Sequence, residues 1–398
     1  MILPVRQTYN QAFSPDRYRT FLESIDADLP GQLDFRVAET PVFVPKGLTT
    51  KLLEACDDII GVITSNNFKS LTENAIPDGL RVPNEDAHTQ FLAVDFAVCK
   101  DEHGELTPQL IELQGFPSLY GFQPYLADRF RALYPIPDSV SHLFTVADNN
   151  EYWEQLRQMI VGDCNPEEVI LLEIYPEKQK TRIDFTLTQQ ALGVAPVCLT
   201  KIRKEGRQLF YEKDGRSIQI KRIYNRLIFD DLQNFPDLQT DFHLTDDVDV
   251  EWVGHPNWFF RISKYTLPFL KSPYVPASYF LSDLSEYPAD LKNYVLKPLF
   301  SFAGSGVKLT ITAKDLDAIP VNKRHEFLLQ HKVSYEPVIQ SPDGLVKCEI
   351  RMLFIWPKED AKPMLITNLS RLSRGEMIGV NFNKNKDWVG GTVCFFEQ

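Results

Sequence analysis

Apolar and polar positions along the first third of the chain predict helices followed by a β-hairpin. Apolar residues recur three and four positions apart between Thr49 and Ser65, which predicts an amphipathic helix. Ser14 and Pro15 open another predicted helix that runs to about Ile25, because serine caps helix N-termini and proline suits the first helical position. No pattern in these early segments indicates a chemical site.

Two apolar runs, 91–99 and 109–115, flank a polar turn and predict a β-hairpin. Residues two apart on a strand share a face, so Glu112 and Gln114 would converge with Asp95 of the other strand. Carboxylates among apolar neighbours are costly to bury unless they are paired or metal-bound. Oxygen ligands of this kind suit Mg²⁺ that shares its shell with phosphates. The alternative is an ordinary hairpin with these side chains on its wet face.

The middle of the chain alternates strand and helix. Residues 168–175 and 194–199 are apolar runs typical of strands, and residues 178–192 between them form a predicted helix. Strand–helix–strand order builds parallel sheets. Arg222 and Arg226 lie at the end of a further predicted strand, where ligands of open α/β sheets bind and where arginine recognises carboxylate or phosphate. The alternative is that both arginines lie at the surface.

Residues 294–309 predict a strand, a loop of small residues and a second strand over 307–311. Glycines let backbone N–H groups approach an anion, and a run of such groups forms a concave anion site. Lys297, just before the loop, would add a positive charge. The alternative is a hairpin with a flexible turn, and the loop lacks the GxxxxGK[ST] pattern of a P-loop. The loop residues of interest are Ser301, Gly304, Ser305 and Gly306.

The last fifty residues add two apolar strands that carry arginine. Glu349 and Arg351 lie two apart on the predicted strand 346–356, and Arg371 lies on the next. Arginines on adjacent strands could both face a developing phosphate charge. The alternative is that they are surface residues.

Composition narrows the class of protein. The 398 residues suggest two or three domains, and 43% hydrophobic content is that of a globular protein. The net charge of −12 and the absence of a basic stripe argue against a nucleic-acid partner. Six scattered cysteines argue for reduced thiols. No leader-like segment or apolar run of about 18 residues is evident, so we expect a soluble cytoplasmic protein with no membrane partner.

The hairpin pattern of residues 94–118 resembles the metal-binding strand pair of ATP-grasp ligases, in which Asp on one strand precedes Glu-x-Asn on the next. The resemblance implies that Asp95, Glu112 and Gln114 hold the Mg²⁺ ions that bridge the ATP phosphates. Gln114 stands where asparagine is usual, so its amide oxygen lies one methylene farther out.

The same resemblance implies how ATP is bound. Lysines would hold the phosphates, the glycine loop would close as a lid, and the segment around residues 330–333 would contact adenine. The implied ATP-binding residues are Lys264, Lys297, Ser301, Gly304, Ser305, Gly306, Gln330, Lys332, Val333 and Glu336. The implied catalytic residues at the phosphate and acyl-phosphate site are Arg351, Arg371, Asn381 and Asn383.

In most ATP-grasp chains the Glu-x-Asn strand follows the Arg and Asn segments, whereas here it precedes them. This order resembles a circularly permuted ATP-grasp fold similar to glutathionylspermidine synthetase. The implied fold class is α/β with α+β subdomains and a small parallel α/β domain. The expected divisions are 1–164 with the permuted metal-binding part, 165–262 as the pre-ATP-grasp domain, 263–345 as the lid, and 346–398 as the remaining core.

The resemblance implies an ATP- and Mg²⁺-dependent ligase that joins a small-molecule carboxylate to an amine or thiol through an acyl phosphate. One alternative keeps the fold but is an ATP-binding module or a phosphotransferase without ligation. Another is a non-nucleotide α/β protein in which the glycine loop is only a turn. The sequence names neither the acid nor the amine, and it leaves the oligomeric state and the role of residues 1–90 open.

Overall fold

A computed structural model describes residues 1–299, 306–375, 383 and 385–398. The described α-helices are α1 Leu3–Ala12, α2 Pro15–Asp28, α3 Lys46–Ile63, α4 Phe68–Leu71, α5 Phe122–Leu133, α6 Asn149–Ile160, α7 Arg182–Leu192, α8 Phe229–Gln233, α9 Asn257–Arg261 and α10 Ala313–Asp317. The described strands are β1 Val42–Val44, β2 Phe91–Lys100, β3 Leu106–Gln114, β4 Val140–Ser141, β5 Val169–Glu173, β6 Ala195–Cys198, β7 Arg203–Glu205, β8 Gln208–Lys213, β9 Arg216–Ile220, β10 Arg222–Asn225, β11 Glu251–Val253, β12 Ser278–Phe280, β13 Tyr294–Pro298, β14 Phe327–His331, β15 Ile339–Ser341, β16 Gly344–Ile355, β17 Met364–Ser373, β18 Gly390–Thr392 and β19 Cys394–Glu397.

The central sheet is antiparallel and joins strands from distant parts of the chain. Its order is β18-β17-β16-β2-β3, with β15 added beside β16. The predicted hairpin is confirmed, since β2 pairs with β3 in antiparallel register. Strands from the first third of the chain therefore lie next to strands from its last seventh, and β2 meets β16 along seven residue pairs.

Helix α3 covers one face of this sheet, so polar side chains of the strands lie on the other face. The predicted helix over 49–65 is confirmed within α3. Apolar side chains of α3 pack with the inward residues of β2 and β16, and each buried side chain stabilises the fold by roughly 1.5–3 kcal/mol. The packed side chains are Leu52, Cys56, Ile59, Val94, Phe96, Val98, Ile350 and Met352. The polar residues of β2 and β16 must then face the other side.

A second sheet of order β11-β10-β5-β6 is wholly parallel, as the strand–helix–strand pattern predicts. Helix α7 connects β5 to β6 and ends at Gly193, whose positive φ of 75° suits glycine. Ser14 accepts a hydrogen bond from the Arg17 amide and so caps α2, again as predicted.

A third sheet, β12-β14-β13, is antiparallel, and we call it the lid sheet after the role that the sequence predicts for this segment. The predicted strand over 307–311 is wrong: it is reduced to one bridge between Leu296 and Lys308. The strand does not extend because Ile311 turns into the apolar core of the lid and Thr312 caps α10 through a capping box with Asp315. None of the described helices is long and apolar enough to span a bilayer.

Candidate active site

A row of charged side chains crosses the open face of the central sheet. The register places Asp95 of β2 opposite both Arg351 of β16 and Glu112 of β3. It also places Glu349 of β16 opposite Arg371 of β17. Residues directly opposite each other share a face, so the sequence-predicted Asp95, Glu112, Arg351 and Arg371 come together here.

The part of the row that runs from β2 to β17, which we call its closed end, begins at Asp95, whose carboxylate is fully paired. Its side chain is 0% exposed, and Arg351 clamps it with Nε donating to Oδ1 at 2.5 Å and Nη2 to Oδ2 at 2.6 Å. Arg371 Nη2 donates to the same Oδ2 at 3.0 Å. Burial acts to raise the pKa of Asp95, but the two guanidinium groups outweigh it and hold the pKa below its usual value. This bidentate geometry is the strongest kind of arginine–carboxylate pair.

The network continues from Arg371 to Glu349 and Tyr335. Arg371 donates to Glu349 Oε1, and Tyr335 Oη donates to Glu349 Oε2 at 3.1 Å. Burial, opposed by Arg371, raises the pKa of Glu349. Arg351 Nη1 donates to Ser118 Oγ at 3.1 Å. The network therefore ties the central sheet to the segment after β14 and to the loop after β3.

The expected magnesium ligands do not share one environment. Asp95 is buried and accepts three hydrogen bonds from arginine, so this donor geometry does not suit a metal ion. Glu112 and Gln114 lie at the open end, with Gln114 Nε2 3.5 Å from Glu112 Oε2. Across the described parts of the chain, no three His, Cys, Asp or Glu side chains are grouped as a metal site. The magnesium role of the three residues stays a prediction, for which Glu112 and Gln114 fit as ligands shared with phosphates.

Two lysines outside the central sheet lie within electrostatic range of Glu112. Lys264 lies in a 3₁₀ turn, Lys264–Phe269, and its Nζ donates to the carbonyl of Pro298 at 3.3 Å. Burial lowers the pKa of Lys264 against the opposing pull of Glu112 and Asp230. Lys297, on β13, has a pKa of about 8, lowered by burial and by Lys264 and opposed by Glu112.

Amines with depressed pKa values are typical of functional sites, and their positive charge would favour binding of an anion. A cavity of about 40 Å³ lies between Lys264 and β3. The side chains lining this cleft include Glu112, Gln114, Asp230, Phe260, Lys264 and Leu299.

One residue of the segment expected to contact adenine lies on the same face of the lid sheet as Lys297. Gln330 pairs with Val295, two residues from Lys297 and on the same face of the lid sheet. Gln330 is 2% exposed, and its Nε2 has no hydrogen-bond partner within the described structure. A buried donor of this kind normally has a hydrogen-bond acceptor from the protein, an ordered water or a ligand.

The other expected adenine and ribose residues have protein partners or lie outside the cleft. Glu336 pairs with Lys100 at 2.7 Å, and Lys332 Nζ donates to the carbonyl of Lys292. Lys332 and Val333 line a separate outer groove of about 490 Å³. The nucleotide roles of these residues stay predictions.

The remaining expected residues belong to the two loops. Ser301, Gly304, Ser305 and Asn381 lie outside the described residues. Gly306 has a φ of +71°, and a Cβ there would lie 2.8 Å from Pro298, so a glycine is required. Asn383 Oδ1 accepts from the amides of Arg374 at 2.9 Å and Gly375 at 3.1 Å. Asn383 therefore holds the end of β17, and its catalytic role stays a prediction.

Arg222 of β10 and Arg226 just after it differ in how many guanidinium nitrogens have partners, although Nε of each is buried without one. Arg222, at the start of the strand, donates to the carbonyl of Met159 at 2.7 Å and pairs with Glu251 at 3.4 Å. Arg226 follows the carboxyl end of the strand, is 7% exposed, and has two buried nitrogens, Nε and Nη1, without partners. Sequence reasoning treated the two alike and missed Asp230, although an acidic pair directly after a predicted strand was a usable signal.

Comparison with known proteins gives a fold. No protein-family profile matches the sequence, and no curated protein sequence matches it either. Among solved structures, the chain is similar to a glutathione synthetase-like effector, GSS30, from Globodera pallida in its apo form. The TM-score is 0.60 at 13% identity, over 91% of this chain and 95% of that one. The chain thus has an α/β fold like that of a glutathione synthetase-like protein, and at this identity the likeness speaks to the fold alone.

Proposed function

We propose that the protein binds ATP in the cleft between the lid sheet and the open face of the central sheet, and uses it to ligate a carboxylate to an amine or thiol. The observation that carries this is the convergence of Lys264 and Lys297 on Glu112, beside the arginines of β16 and β17. Two amines of depressed pKa close to a row that carries two guanidinium groups would suit a polyphosphate. The glutathione synthetase-like fold supports the same class of chemistry.

We take the fold to be a circularly permuted ATP-grasp fold. The support is the strand order, since β2 and β3 lie beside β16 and β17 although more than 200 residues separate them in the chain. Short distances between chain ends make such rearrangements feasible. We propose the same four divisions of the chain that the sequence predicts.

In the proposed reaction a substrate carboxylate oxygen attacks the γ-phosphorus of ATP, and the bond to the ADP oxygen breaks. The amine or thiol then attacks the acyl carbon, the C–O bond to phosphate breaks, and the nucleophile loses a proton. Phosphoryl transfer depends on positioning and charge stabilisation. Lys264 and Lys297 would hold phosphate oxygens, and Arg371, which is half-exposed, would face the charge that develops.

Glu112 and Gln114 would hold Mg²⁺, which neutralises phosphate charge when bound. Asp95 has a different part in this proposal. Its bidentate pair with Arg351 and its bond from Arg371 fix both guanidinium groups before the ligand arrives. Such preorganisation lowers the cost of ordering charged side chains during the reaction.

A second candidate is a nucleotide-binding module without turnover. The observation that favours it is the engagement of Asp95, which leaves Glu112 as the one carboxylate at the open end of the described row. A metal site with one carboxylate and a longer amide would hold Mg²⁺ less firmly.

Nucleotide binding and ADP release separate these candidates. Thermal shift with a non-hydrolysable ATP analogue, with and without Mg²⁺, should show stabilisation that Lys297→Met removes. ADP release should then rise with pooled amino acids, polyamines and thiols if ligation occurs, without a stable phosphorylated product. Binding without stimulated ADP release would favour the module, and an analogue shift that Lys297→Met leaves intact would refute the nucleotide site.

A further inference from the structure

Arg226 is a buried cation whose guanidinium is not used by the protein. Two of its nitrogens, Nε and Nη1, are inaccessible to solvent and lack hydrogen-bond partners. In the described structure no carboxylate forms an ion pair with it, and its Cζ lies 5.4 Å from the centre of the Phe185 ring. Buried polar atoms are nearly always satisfied, and a buried arginine without partners indicates that a bound anion supplies them.

Acidic side chains surround Arg226 without pairing with it. Its charge acts on Glu173, Asp184 and Asp231, yet burial dominates and raises the pKa of all three, that of Glu173 to about 8. Asp184 uses Oδ1 to accept from the amides of Gly121 at 2.7 Å and Phe122 at 2.9 Å, while its Oδ2 is buried and without a partner. In the described structure, an arginine with two unpartnered nitrogens thus lies near three acids that form no ion pair with it.

This region lies where the parallel sheet would present a ligand. Glu173 ends β5 and Arg226 follows the end of β10, so both are at the carboxyl edge of neighbouring parallel strands. The region also adjoins the cleft beside β3, because Asp230, the neighbour of Asp231, lines that cleft together with Lys264. Tyr120 lies within electrostatic range of both Arg351 and Arg226.

We propose that Arg226 and the acids around it, Glu173, Asp184 and Asp231, bind the head group of an α-amino acid or of a peptide terminus. The guanidinium pairs with the α-carboxylate, and the oxygens of the acid side chains accept hydrogen bonds from the α-ammonium. A zwitterion is favoured because a simple dicarboxylate or phosphate would face three acids, whereas a polyamine would face an unpaired arginine. The identity of this ligand as a ligase substrate rests on the proposed function, but its binding does not.

The experiment uses the full chain and the twenty standard amino acids, tested singly by thermal shift in the absence of nucleotide. The best binder is then measured by calorimetry beside its deaminated acid and its decarboxylated amine, with spermidine as a polyamine probe. We expect at least one amino acid to bind, and both truncated analogues to bind at least tenfold more weakly. Equal binding of the deaminated acid or of spermidine, or no amino acid binding at all, would overturn the proposal.

Arg226→Gln and Arg222→Gln form a matched pair on the same strand. Arg226→Gln should melt no lower than the wild type without ligand, because it removes an unpartnered buried charge, and should weaken amino acid binding at least tenfold. Arg222→Gln should melt lower, because it loses bonds to Met159 and Glu251, yet bind within twofold of the wild type. Binding that survives Arg226→Gln would place the ligand elsewhere.

A second variant keeps the test open if Arg226→Gln does not fold. Asp231→Asn should weaken the amino acid but not its deaminated acid, because only the ammonium contact changes, and equal effects on both would count against the proposal. Failure of the wild type to bind an ATP analogue, with amino acid binding intact, would reject the proposed function alone. Nucleotide binding without amino acid binding would reject this inference alone.

Discussion

The two ends of the charged row on the central sheet differ in whether their charged side chains are paired. At the closed end, Asp95 is clamped by Arg351 and Arg371, and Glu349 is held by Arg371 and Tyr335. At the open end, Lys297 faces Glu112 with a depressed pKa and no ion pair within the described residues. A buried pair with complete hydrogen bonding fixes structure, whereas a half-buried charge held without a partner is held for a ligand.

The largest expected effect is on stability at the closed end. Asp95→Asn would leave two guanidinium groups facing a neutral amide, and breaking such a buried pair costs about 3–5 kcal/mol of unfolding free energy. Chemical denaturation followed by circular dichroism measures this. Glu112→Gln, directly opposite on β3, is the control and should change the free energy by less than about 1 kcal/mol. Similar losses for the two variants would remove the distinction between the ends.

At the open end the expected effect is on binding. Lys297→Met should weaken binding of an ATP analogue by about 10- to 100-fold, since hydrogen bonds to charged groups contribute about 1.5–3 kcal/mol. The unfolding free energy should not fall, because the lysine's charged form is disfavoured by burial. Calorimetry gives the affinity, and Lys292→Met, an exposed lysine just before β13, should bind as the wild type does. A stability loss in Lys297→Met without a binding loss would make this lysine structural.

Sequence alone could predict the hairpin and the juxtaposition of Asp95 with Glu112, because both depend on local alternation and a short polar turn. It could not predict that Arg351 would clamp Asp95, since that contact joins strands 256 residues apart in the chain. The resemblance to a metal-binding strand pair gave Asp95 a single role as ligand. The structure gives Asp95 a competing role as the partner of Arg351, because a guanidinium group can neutralise this carboxylate in place of a metal ion.

The arginines of β10 show the same limit. Arg222 and Arg226 are four residues apart and chemically identical, and both lie near the end of a predicted strand. Within the described structure Arg222 leaves only its buried Nε unpartnered, because Met159 and Glu251 meet Arg222 and not Arg226 after folding. The prediction of a strand over 307–311 was wrong for a similar reason. Its apolar alternation reflects burial in the core of the lid sheet and not pairing with a neighbouring strand.

The pH dependence of nucleotide binding sharpens the contrast through Lys297. Its pKa of about 8 in the free protein means that the charged, phosphate-binding form is complete below pH 7 and is lost as pH rises through 8. Bound phosphate favours the charged form, so affinity should fall by up to about tenfold per pH unit above 8. Calorimetry at pH 7, 8 and 9 measures this. Lys297→Arg stays charged throughout and should abolish most of the fall; an equal fall in both proteins would assign the titration to another group.

The smallest effect concerns Glu173, a buried acid that faces Arg226 without pairing. Burial raises its folded-state pKa to about 8, so the folded protein binds more protons than the unfolded chain between about pH 4.5 and 8. The stability contributed by its protonated form is therefore complete at low pH and is lost as pH rises across that window. Glu173→Gln mimics the protonated side chain, so its unfolding free energy relative to that of the wild type should rise between pH 5 and pH 8.

Denaturation at the two pH values checks this prediction, and Glu167→Gln is the control. Glu167 is paired with Arg216 and Lys213, which lower its pKa, so its substitution should not raise stability at pH 8. A gain for Glu173→Gln that is equal at both pH values would mean that the acid does not titrate in this range. Arg226 would then be facing a carboxylate that is already charged, and the reason for expecting a bound anion beside it would be weaker.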